Sequence, residues 1–124
     1  MTTEENFGFR FQEWNAYKDG RSFRSKLNAL LQRFPPEEKY ALVDQTRRAL
    51  NSVLLNLAEG ANKNTDRETR VYINRAQGSV DEVVACLDCA LDDHYINEGE
   101  HSTFLEGARN LAKQLRAFSA HLKS

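Results

Sequence analysis

The chain contains only two cysteines, and they stand three apart at Cys86 and Cys89. A pair so placed is no disulfide framework, and it suits a reducing compartment. Proline is as scarce, with two residues side by side at Pro35–Pro36, so few positions interrupt a helix. No run of about 18 apolar residues occurs, which excludes a membrane-spanning helix. The amino terminus, "MTTEENFGFRF", has acids where a signal peptide carries bases, and it lacks an apolar core. A cytoplasmic protein is expected. Charge of one sign is also missing: the net is −1 and the pI about 6.3, far from the strongly basic footprint of many nucleic-acid domains.

What is present is helical periodicity. The prolines separate two long segments. In the first, from about Gln12 to Arg33, residues Ala16, Gly20, Phe23, Leu27, Leu30, Leu31 and Phe34 share one face. The second opens at "FPPEEKY", where Pro36 suits a first turn and Glu37 and Glu38 complement the positive end of a helix. It carries Val43, Leu50, Val53, Leu54 and Leu57 and stops at Gly60. Thr65 and Glu68 have capping-box spacing for a third helix, whose Ile73, Ala76, Val80, Val83, Leu87 and Ala90 alternate by three and four. Asn97 with Glu100, or later Thr103 with Glu106, opens a fourth, built on Phe104, Ala108, Leu111, Leu115, Phe118 and Leu122. The spacing predicts one all-α domain over 1–124: an antiparallel up-and-down four-helix bundle with helices at about 12–33, 37–59, 66–92 and 98–122.

Two helices carry a second stripe opposite the core. On the second helix it comprises Ala41, Arg48, Ser52, Leu55 and Glu59; on the third, Val71, Gly78, Glu82 and Cys89, with Ala85 nearby. Glycine in mid-helix costs about 1 kcal/mol against alanine, so a close backbone approach at Gly78 would offset that cost. Small residues beside a carboxylate and an arginine fit a subunit interface, with Arg48 paired to Glu82 or Glu59. Homo-oligomerisation is the expectation.

Chemistry is harder to find. "CLDCALDDH" looks like part of a zinc knuckle, but the fourth ligand position is Gly99. The third helix also runs straight through both cysteines, turning Cys89 about 140° away from His94. Of the three histidines only His101 follows an acid by three, Glu98, which is half of a di-iron motif at best. Phosphate-cradling glycine loops and nucleophile elbows are missing. Neither an enzyme nor a metal or other cofactor is expected. For nucleic acid the candidates are Lys63, Arg67, Arg70 and Arg75 around the second link, and Lys18 and Arg21 on the first helix. Such strips grip phosphate without reading sequence. Residues 1–75 hold thirteen Lys or Arg against ten Asp or Glu, and residues 76–124 hold four against eight.

The stretch from Tyr40 to Ala90 resembles the intervening-sequence protein family of bacterial large-subunit ribosomal RNA. The likeness lies in Gln45, Arg47–Arg48, Ser52, the run Asn56-Leu57-Ala58-Glu59-Gly60, Gly78-Ser79 and Glu82, with Tyr95–Ile96 beyond it. The resemblance implies a four-helix bundle assembled as a homopentamer, acting by binding RNA or a ribonucleoprotein, with no catalytic residues. A related branch, the accessory variability proteins of diversity-generating retroelements, implies an alternative: binding a reverse transcriptase together with RNA or DNA. A scaffold that contacts only protein is a third. Asp93 and His94 stand where relatives commonly have an apolar residue and a glycine, so this helix end is expected to differ.

Overall fold

The structure, a computed structural model, describes residues 8–122; the acidic residues 1–7, which argued against a leader, lie outside the described residues. Four helices carry the chain: α1 (Asn15–Leu31), α2 (Leu42–Gly60), α3 (Asp66–Asp92) and α4 (Glu98–His121). Short 3-10 turns precede α1 and α2 at Arg10–Glu13 and Pro36–Glu38, and no strand occurs among the described residues. Neighbours run antiparallel. Arg24 of α1 reaches Asn51 of α2 at 2.7 Å, Ser79 of α3 donates to Ser52 of α2 at 2.7 Å, and Asp88 of α3 meets His101 of α4 at 2.8 Å. Gln114 of α4 returns to Asp19 of α1 at 2.7 Å and closes the bundle.

The core is the periodic seam. Leu27, Leu57, Ile73 and Leu115, one from each helix, have no exposed surface. Between α2 and α3 small groups bring the backbones close. A Cβ at Gly60 would lie 2.8 Å from the Cβ of Tyr72, so glycine is required there by proximity. The buried Thr69 hydroxyl donates to the Gly60 carbonyl at 3.0 Å, and Ser79 bonds Ser52, which also accepts from Asn56 at 3.0 Å. Every buried hydroxyl on this seam has a partner, as burial of polar groups demands.

Helix boundaries differ from expectation in the first half. α1 begins at Asn15 rather than near residue 12, because Trp14 is extended (φ −68°, ψ 131°) and separates the Arg10–Glu13 turn from the helix. Its ring is held edge-on to Phe118, 4.6 Å between centroids. α1 ends at Leu31, before the turn that buries Phe34. α2 begins at Leu42 rather than 37 and has 19 residues, about 28 Å of rod. Ala41 (φ −121°, ψ −103°) breaks it from the Pro36 turn. Glu38 is therefore outside the helix, and caps it from there: its carboxylate accepts the Leu42 N–H at 3.2 Å. The other oxygen of Glu38 accepts the Tyr95 hydroxyl at 2.8 Å, tying this turn to the α3–α4 link.

That bond pushes the Tyr95 pKa up from 10.0 to about 12, since losing the proton removes a donor to a carboxylate. A group whose pKa is raised by folding stabilises fully below its unfolded value and loses that contribution as pH climbs through the folded one. The link between Glu38 and Tyr95 is therefore expected to hold below pH 10 and to fail between pH 10 and about 12. Ultraviolet titration of the four tyrosines should show one late phase, absent in Tyr95→Phe and moved to lower pH in Glu38→Gln.

The second half follows expectation closely. Thr65 accepts the Glu68 N–H at 3.1 Å, and Asn97 and Glu100 form the reciprocal capping box at 2.7 and 3.1 Å. The later start at Thr103 is not used; its hydroxyl bonds the Gly99 carbonyl. Between these helices His94 takes φ 64°, a left-handed conformation that glycine adopts freely. Around it, the N–H groups of His94 and Tyr95 bond the carbonyls of Leu91 and Ala90 at 3.0 and 2.9 Å, the paired closure that such a residue allows. Histidine has a Cβ penalty there, so His94→Gly is expected to raise stability by about 1 kcal/mol, and the melting temperature by several degrees. Thermal unfolding followed by circular dichroism checks this.

Candidate nucleic-acid interface and outer face

The antiparallel path sorts charge by height along the bundle. The contacts Arg24–Asn51, Ser52–Ser79 and Phe23–Gly107 mark the midline. Below it lie residues 8–22, 52–78 and 110–122, holding nine Lys or Arg against five Asp or Glu. Above it, residues 23–51 and 79–109 hold seven against eleven. The two halves thus carry net charges of +4 and −4 within the described residues. The chain-order bias in the sequence becomes a difference between the two ends of the rod.

The basic end gathers the candidates unequally. Lys63 and Arg75 both lie over the Tyr72 ring, at 4.8 and 4.7 Å from its centroid. Arg67 is exposed on the first turn of α3. Arg70 is different: it is half-buried, and its guanidinium donates to the Leu122 carbonyl at 2.6 Å, fastening α3 to the end of α4. Arg70 is thus a tie between helices. On α1, Lys18 is paired with Glu13 at 3.4 Å, and Arg21 is exposed nearby. Arg10, missed in the sequence, caps the end of α2 by donating to the Ala61 carbonyl at 2.8 Å, with its guanidinium 6.0 Å from the Trp14 ring. Tyr72 was missed as well, although a tyrosine three residues before an arginine on a helix is a readable signal.

The outer face of α2 and α3 is as the second stripe foretold in one respect. Leu55 and Val71 are 68% and 45% exposed, and among the described residues nothing beyond its own stretch of helix comes within 4 Å of a Cβ built on Gly78. No close approach among the described residues explains that glycine. Within one chain Arg48 bonds Asp44, one turn earlier on its own helix, at 2.9 Å. Glu82 instead accepts a long 3.4 Å bond from Gln45, and Glu59 is exposed. A shallow hollow lined by Arg48, Ser52, Leu55, Asn56 and Glu59 runs along α2. Cys89 is exposed on the same side of α3.

Cys86 points inward, where burial pushes its thiol pKa up despite a hydrogen bond with Thr46. A thiol raised in this way is a poor nucleophile. His94 stands beyond the helix end and His101 faces Asp88 rather than Glu98, so "CLDCALDDH" converges on no common point. No group of three His, Cys, Asp or Glu among the described residues could hold a metal ion. No helix of the described residues is long and apolar enough to cross a membrane.

The polar residues that carried the family likeness have a structural meaning. Gln45 and Glu82, Ser52 and Ser79, and Gly60 with the turn beyond it all lie along the α2–α3 seam and set how those helices meet. A comparison with curated proteins finds no match. The family model for "23S rRNA-intervening sequence protein" matches residues 12–117, which covers α1 to α3 and all but the last turn of α4. The chain belongs to the 23S rRNA-intervening sequence protein family.

Proposed function

We propose that the protein is a non-catalytic homo-oligomer, five copies as the resemblance implies, that binds RNA through its phosphate backbone. The observation that carries the reading is the sorting of charge: a near-neutral chain concentrates its positive charge at one end of a rod. A polyanion meets that end with favourable potential while the acidic end stays in water. The family's description makes large-subunit ribosomal RNA the first polyanion to test. Exposed Leu55 and Val71 beside an open Gly78 support a second copy against the outer face. Docking on a reverse transcriptase ranks second, because the resemblance attaches that partner to a related branch only.

Retention of a labelled ribosomal RNA fragment, titrated with salt, tests the binding. Retention that weakens as salt rises is expected, and none at low ionic strength would sink the reading. Light scattering tests assembly, with five times the chain mass of 14.2 kDa expected and a clean monomer overturning it.

A further inference from the structure

The foot of the α2–α3 seam holds two cations against one aromatic ring. Lys63 Nζ and the Arg75 guanidinium carbon both lie within 5 Å of the centre of Tyr72, so their charges are within about 10 Å of each other. Neither joins any ion pair of the described residues, and Arg67 joins none either. The ring is fixed in turn, because its Cβ packs where Gly60 leaves room. Two like charges held this close, with no acid paired to either, leave a site that an anion completes. The geometry points to a preformed phosphate grip, Lys63–Tyr72–Arg75 extended by Arg67, which binds RNA by its backbone and without regard to sequence. This rests on the RNA-binding reading above and names its site and mode.

Three features set the mode. Both cations lie against the ring, so a base stacking on it has to compete with them, and readout by stacking is disfavoured. Arg67 and Arg75 are eight residues apart on α3, about 12 Å along the helix, which suits a chain of phosphates better than a single one. Arg70, engaged by Leu122, and Lys18, paired with Glu13, take no part.

The test is fluorescence anisotropy with two single-stranded RNAs of equal length and different sequence, across a salt series. The test variant is Lys63→Glu/Arg67→Glu/Arg75→Glu. The control, Lys26→Glu/Lys39→Glu/Arg109→Glu, makes the same change in net charge in the other half of the bundle. The test variant is expected to bind at least about 10-fold more weakly at low salt, and to reduce the salt slope by about 2, at roughly 0.7 per lost contact. The control should stay within about twofold of wild type, and the two RNAs should bind alike. Equal losses in both variants would overturn the site, and a strong preference between the RNAs would overturn the mode. No binding by the wild-type protein would instead remove the RNA reading itself. If the glutamate variant does not fold by circular dichroism, glutamine at the same three positions carries the same expectation with a smaller loss.

Discussion

Alanine in place of Leu57 is expected to cost about 3–4 kcal/mol of stability, against at most about 0.5 kcal/mol for alanine in place of Leu55. The two leucines are neighbours on α2 and differ in surroundings alone. Leu57 has no exposed surface and faces the seam where α2 meets α3, while Leu55 is 68% exposed. Removing the Leu57 side chain leaves a void that the flanking helices fill only partly, because Gly60 and Ser79 already hold them close. A domain of this size has about 5–15 kcal/mol in all, so the variant should melt many degrees lower. Denaturant unfolding at a concentration low enough for every variant to be monomeric reads both numbers, so that association adds to neither. A similar loss for both variants would show that the helix has been assigned the wrong face.

Leu55→Glu combined with Val71→Glu is expected to convert the assembly to monomers while leaving helix content unchanged. Within one chain neither side chain is buried, so the fold loses little. Across an interface, each carboxylate would have to leave water without a partner, a cost of several kcal/mol apiece. Association should weaken by at least about a hundredfold, a change of more than 2.7 kcal/mol. Sedimentation or light scattering over a concentration series measures it. Undiminished mass would place the contact between copies on some other face.

The fold was legible because the apolar residues repeat at helical spacing in all four segments, and the pattern fixes which face turns inward. Thr65 and Asn97 were legible for a related reason: their partners Glu68 and Glu100 lie three residues away, within reach of local rules. The start of α2 was not legible. It depends on Glu38 reaching Leu42 from outside the helix while Tyr95, 57 residues distant, holds its other oxygen. The role of Arg70 was hidden in the same way, since its partner is a carbonyl 52 residues away. Tyr72 shows the intermediate case. Its contact with Arg75 is local and could have been read, but Lys63 joins it only through the turn that follows Gly60. Sequence pattern reports the stripe a residue occupies; it does not report what the opposite helix brings to meet it.

The difference in charge between the two ends makes each bundle an electric dipole along its own long axis. Copies set side by side with the same polarity repel one another, and salt screens that repulsion. Copies set with opposite polarity attract, and salt weakens them. If the bundles align with their basic ends on one rim, self-association should therefore tighten as ionic strength rises while RNA on that rim is released. A single variable then drives assembly and binding in opposite directions.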